Sequence, residues 1–176
     1  MGLLIPFDPA ALTPATAAAF DELIASLQTW AGKSVDATGK WQDVAYFSGD
    51  YTQSTGTWTV DQGDQDTYRY AIVGDIMIIN VRLVDTSTTA AIPELRIRIP
   101  EGYNIDVFGT NVTAGVLSWD GSAASGTGII GLGASTTTDG TANMLRLARD
   151  YDATVWPTEA QALDIGFTVM VPVKPV

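Results

Sequence analysis

Hydrophobic and polar residues alternate in short runs along most of this chain, and Gly, Asp, Ser and Thr turns cut the runs apart. The sharpest run is Glu94-Leu95-Arg96-Ile97-Arg98-Ile99-Pro100, with Leu95, Ile97 and Ile99 on one side and Glu94, Arg96 and Arg98 on the other. Successive side chains of a strand point to opposite faces, so this spacing predicts a half-buried strand. Pro100 ends it and Glu101-Gly102 makes the turn. Residues 67–73 and 76–84 flank Gly74-Asp75, which predicts a β-hairpin with a two-residue turn. On the second of these strands Met77, Ile79, Val81 and Leu83 share one face. Ile76 and Ile78 share the other with Asn80 and Arg82, so that back face is half apolar. Either a second sheet or a neighbouring subunit is expected to cover it.

Further strands are predicted over 41–47, 57–60, 114–119, 128–132, 143–149 and 164–171. Strands at near-regular spacing, with no helix between consecutive ones, point to a sandwich or jelly roll and away from a doubly wound α/β fold. No internal repeat is visible.

The texture before residue 40 is different. Residues 1–12 are apolar and broken by Pro6 and Pro9, as in an extended tail. Residues 13–31 predict one helix, with Thr13 as N-cap, Pro14 at the first helical position and Gly32 as the stop. Phe20, Leu23, Leu27 and Trp30 step by 3, 4 and 3, and Ile24 widens the stripe. Such a stripe packs either on its own domain or against sister chains. Two turns of seam are too short to hold a coiled coil unaided, so self-association needs help from the following body.

Composition narrows the chemistry. The 176 residues include no histidine and no cysteine, which removes thiolate chemistry, a Ser-His-Asp triad and the usual zinc and haem ligands. Nine basic against twenty acidic residues give a net charge of −11. Such a chain repels phosphate backbones and anionic leaflets, so neither nucleic acid nor membrane insertion is expected. No apolar run reaches the length of a membrane span, and no signal peptide is read at the start.

Few clusters are left as candidates. Asp61, Asp64 and Asp66 sit in one predicted turn and are candidates for calcium, without the spacing of an EF-hand. Asp150 and Asp152 would be a glycosidase pair on a functional reading; otherwise they are strand-end charges beside Arg146 and Arg149. Gly126-Thr127-Gly128-Ile129-Ile130-Gly131 matches a dinucleotide string but lies in a β context, so no cofactor is expected. Aromatic side chains stack on sugars and anchor interfaces. Trp119 and Trp156, at strand ends beside loops, are the candidates for a ligand surface, whereas Trp41 and Trp58 are assigned to the core.

With these residues laid out, the chain resembles bacteriophage virion appendage proteins: short tail fibres or spikes, head fibres and decoration proteins. The resemblance is carried by Gly56-Thr57-Trp58-Thr59-Val60 and by Ile99-Pro100-Glu101-Gly102-Tyr103, and covers about residues 41–103 by motif. It implies a trimeric appendage on the virion whose N-terminal part attaches to the particle and whose jelly-roll head faces outward. The long shaft of a tail fibre is missing.

The expectation is therefore a mainly β protein: a jelly-roll-like antiparallel β-sandwich preceded by one N-terminal α-helix. Residues 1–39 are the attachment tail and oligomerising helix, and 40–176 the head. Homo-oligomer contacts are assigned to Phe20, Leu23, Ile24, Leu27, Trp30, Ile76 and Ile78, and contacts with other virion proteins to Leu3, Leu4, Ile5 and Phe7. A host surface glycan or protein is the expected outer ligand. A monomeric carbohydrate-binding module, or a glycan-cleaving enzyme, is the alternative.

Overall fold

A computed structural model describes residues 39–107, 112–122, 124–134, 142–149, 155–156 and 158–176. The body is Gly39–Val176, one residue from the boundary expected at 39/40. The predicted helix, with Phe20, Leu23, Ile24, Leu27 and Trp30, lies outside the described residues, as do Leu3, Leu4, Ile5, Phe7, Asp150 and Asp152.

Among the described residues the body is mainly β. Its strands are β1 (Gln42–Asp43), β2 (Tyr51–Gln53), β3 (Trp58–Thr59), β4 (Gln65–Val73), β5 (Ile76–Thr88) and β6 (Leu95–Arg98). They continue with β7 (Tyr103–Ile105), β8 (Val112–Asp120), β9 (Ser125–Gly133), β10 (Met144–Ala148) and β11 (Glu159–Pro175). All pairings are antiparallel, in the order β1-β4-β5-β11-β8-β9-β10-β6-β2, with β3 on β5 and β7 on β11.

The sheet curls because one face of nearly every strand is apolar. Met77, Ile79, Val81 and Leu83 of β5 meet Ile165, Phe167, Val169 and Val171 of β11, and all are buried. From the far half come Leu95, Ile97, Leu117, Ile130, Leu132, Leu145 and Leu147. Burying one such side chain contributes about 1.5–3 kcal/mol, and a flat sheet would leave this face wet. Curling brings strands distant in sheet order together. The buried Tyr68 hydroxyl of β4 donates to the Arg98 carbonyl of β6, and Tyr51 of β2 donates to Gln65 Oε1 of β4 at 2.6 Å. Tyr51 also meets Trp58 edge-on, with ring centroids 5.7 Å apart.

One irregularity fixes the long β5–β11 ladder. Register shifts after Leu163↔Thr86, and Asp85 adopts a φ of 56°, in the left-handed region that side chains rarely enter. The loosened backbone groups are re-tied locally. Asp164 Oδ1 accepts the Asp85 N–H at 2.9 Å, and the Thr86 hydroxyl donates to the Leu163 carbonyl at 2.8 Å. Thr86 Oγ1 also accepts the Trp58 indole N–H at 3.2 Å.

Two assignments of the sequence reading change here. Of residues 41–47, only Gln42–Asp43 pairs as strand. Trp41 is 41% exposed and is not core: it lies on the outer face with the Arg69 guanidinium 4.7 Å above its ring. Trp58 is core, as expected.

Candidate functional sites

The outer face of the β1-β4-β5-β11 half changes character along the strands. Ladder register places Val73, Ile76 and Pro172 in one row and Ala71, Ile78 and Met170 in the next. Trp41 closes the second row beside Arg69, and Val116 of β8 is a separate exposed apolar residue. Val73, Val116 and Met170 are 50%, 63% and 64% exposed, while Ile76 and Ile78 are half-buried. Toward the other end the rows turn polar, with Arg69, Asn80 and Thr168 joined by hydrogen bonds and then Arg82 paired to Asp66 at 3.2 Å. A groove of about 840 Å³ runs over this polar end, lined by Asn80, Arg82, Ser118, Asp120, Asp164 and Thr168 among others.

The remaining half of the sheet is ionic on its outer side. Glu94 bridges Arg96 at 2.7 Å and Arg146 at 2.6 Å; the alternation of residues 94–98 puts Glu94 and Arg96 on one face, whereas the sequence reading sets Arg146 beside Asp150 and Asp152. These groups are largely covered and hold one another, so they make a tied surface rather than a vacant one.

A second candidate lies at the rim. Phe47 is 63% exposed and shares a cleft of about 280 Å³ with Asp50, Arg98 and the turn 99–103, together with Asn104, Asn143 and Val176. Its ring lies over Gly49: a methyl group there would come 2.5 Å from Phe47 Cε1 and 3.0 Å from Cζ. The short 3₁₀ turn Ser48–Asp50, closed by the Asp50 N–H on the Phe47 carbonyl at 3.0 Å, sets this fold-over. Burial pushes the Asp50 carboxyl above its ordinary value of 3.8, with Arg98 opposing the shift. Arg98 Nε stands 3.7 Å from Asp50 Oδ1, beyond hydrogen-bond length. Tyr103 and Asn104 form the opposite wall, held by the Asn143 amide, whose Nδ2 donates to Asn104 Oδ1 at 2.7 Å.

The tryptophans expected at the ligand surface are elsewhere. Trp156 is fully buried and Trp119 is 5% exposed; they meet edge to face at 5.8 Å. Trp156 donates its indole N–H to the Leu147 carbonyl at 3.2 Å, whereas Trp119 Nε1 is buried without a hydrogen-bond partner. Both pack under the sheet edge because each bears a wide apolar area, and the Arg149 guanidinium covers Trp119 at 4.8 Å. They form core, not surface.

The calcium candidates do not converge either. Asp66 pairs with Arg82, and Asp64 Oδ2 accepts the Asp61 N–H at 2.8 Å. Asp61 and Asp64 line a recess with Thr59, Asp85 and Ser87, yet among the described residues no three acidic groups lie close enough to share a metal ion. Phe47, Asp50, Val116 and Met170 went unnoticed in the sequence as site residues. Only Phe47 carried a signal there, as a bulky apolar residue directly before Ser48-Gly49-Asp50.

Comparison of the chain with protein-family models, with curated proteins and with solved structures gives no match.

Proposed function

We propose that this chain is a non-catalytic structural protein of a bacteriophage virion: an oligomeric, trimeric appendage or decoration with a jelly-roll sandwich head, attached through its N-terminal region. The virion setting rests on the sequence resemblance alone. Assembly rests on the apolar end of the outer face, where Trp41, Ile76, Ile78 and Met170 lie in adjacent rows on a chain that carries −11 charges. Contiguous exposed apolar surface on an otherwise acidic protein marks a contact surface. A sister copy is the fitting occupant. The Arg69 guanidinium beside Trp41 and the carboxylate of Asp43, its ladder neighbour, give the patch both signs of charge, as self-complementary contacts require. A stable contact removes about 800 Å² per partner, and the stripe Phe20, Leu23, Ile24, Leu27 and Trp30, assigned to self-association from the sequence, is proposed as a second contribution.

Light scattering after size exclusion tests the reading. The full chain is expected to elute at three times its mass of 18.6 kDa. A double variant, Ile78→Glu with Met170→Glu, places charges on the patch without touching the core and is expected to lower the mass. A monomeric wild type refutes the proposal, and so does an unaltered mass in the variant.

A further inference from the structure

We propose that the rim cleft between Phe47 and the turn 99–103 is a binding site for one neutral sugar unit of a glycan. It goes beyond the assembly reading and does not depend on it. The first support is the state of Phe47. Phe47 is 63% exposed and lines the cleft, so an aromatic side chain is presented to solvent beside its polar groups. One part of the ring lies over Gly49, where no side chain intervenes, and the rest faces the cleft. An open aromatic face is what the C–H side of a pyranose packs against.

The second support is the ring of polar groups around that face. Asp50, Arg98 and Glu101 line the same cleft, with Asn104 on its far wall. Asp50 and Arg98 form a long ion pair, 3.7 Å between Oδ1 and Nε, so the carboxylate keeps lone pairs for a sugar hydroxyl while the guanidinium keeps N–H groups for its neighbour. The volume, about 280 Å³, falls at the lower edge of the roughly 300–1,000 Å³ typical of small-molecule sites and suits a single terminal unit. The net charge of −11 and the carboxylates of Asp50 and Glu101 disfavour an acidic sugar. The groove over Asn80 and Thr168 is wider, but its aromatic member, Trp119, is buried and offers no face.

Fluorescently labelled full-length protein on a printed array of neutral and acidic saccharides provides the test, with hits measured again by titration calorimetry per site. The wild type is expected to retain neutral saccharides. Phe47→Ala is expected to weaken them about tenfold or more, the equivalent of one lost stacking contact. Gly49→Ala keeps the ring but displaces it, and is expected to weaken binding as well. Gln62→Ala, in an exposed turn away from both surfaces, is the control and is expected to bind like the wild type; melting curves verify that all variants fold. Absence of any neutral hit, preference for acidic saccharides, or unimpaired binding by Phe47→Ala overturns the proposal. The mass of Phe47→Ala by light scattering is expected to equal that of the wild type, so failure of this site and failure of self-association are told apart.

Discussion

Replacing Thr86 by Val tests whether the β5–β11 bulge is held by hydrogen bonds or by shape. Thr86 is fully buried, and its one hydroxyl serves two others: it donates to the Leu163 carbonyl at 2.8 Å and accepts the Trp58 indole N–H at 3.2 Å. Valine has nearly the same outline, so no cavity forms. It leaves the Leu163 carbonyl and the Trp58 N–H stranded among buried neighbours, at about 1–3 kcal/mol each. The expected loss is about 2–6 kcal/mol, a large part of the about 5–15 kcal/mol that holds a domain folded. Thr86→Ser keeps both bonds and loses a methyl group, for about 1 kcal/mol. Urea unfolding followed by tryptophan fluorescence separates the two. The midpoint of Thr86→Val should fall by about 1–2 M with its slope unchanged, and that of Thr86→Ser by far less. Were packing alone important, the order would reverse, because valine buries more apolar surface than serine. A Val variant as stable as the Ser variant therefore refutes the argument.

Gly128 and Gly131 make a matched pair on β9. A methyl at Gly128 would lie 2.4 Å from the Ala148 carbonyl oxygen and 3.0 Å from Leu117 Cδ1, so Gly128→Ala should cost about 3 kcal/mol or more, whereas Gly131→Ala, with nothing nearer than 3.7 Å, should be neutral in the same urea assay. Trp156→Phe gives up the indole bond to the Leu147 carbonyl while Trp119→Phe removes a donor that has no acceptor, so the first should be the more damaging by about 1 kcal/mol in thermal or urea unfolding. Burial raises the hydroxyls of Tyr51 and Tyr68 above their ordinary value of 10.0, so the folded state holds protons that the unfolded state releases. Their contribution is complete below pH about 10 and is lost as the pH rises beyond it, by about 1.4 kcal/mol per unit for each tyrosine until the folded hydroxyls ionise; a Tyr68→Phe variant should show a shallower alkaline loss by circular dichroism.

The strands were legible because their signal is local. Alternation at residues 94–99 and 76–84 states which side chains share a face, and a one-residue slip would have put Ile97 or Ile79 into water. The half-apolar back of β5 was equally visible, since Ile76 and Ile78 interrupt a polar row; that Met170 and Trp41 continue this row across β11 and β1 was not, because ladder register is a property of pairing and not of any one segment. The extra length of β11 escaped notice for the same reason. Its N-terminal extension pairs with the far end of β5 at Glu159 and Leu163 across register shifts, and its C-terminal extension pairs with β7 at Val173–Pro175, so both are set by partners and not by their own pattern.

The tryptophans show where the reading of chemistry from sequence breaks down. Position at a strand end beside a loop suggested exposure for Trp119 and Trp156, yet the same position under a curling sheet is where the largest apolar side chains close the core. Trp41, placed in the core on its run of neighbours, lies outside because the pairing of Gln42 with Tyr70 and of Asp43 with Arg69 puts Trp41 and Asp43 on the face that carries Arg69. Phe47 is the converse case. Nothing about one phenylalanine in a loop announces a binding face; what does is Gly49 two residues later, whose missing side chain lets the ring fold down and stay open on its other side. Residue type sets what a side chain is able to bind, but whether it is free to bind depends on curvature and on which neighbours lack a Cβ. Substitution of Gly49 is therefore more informative than substitution of any aromatic residue, since it moves the face while leaving its chemistry in place.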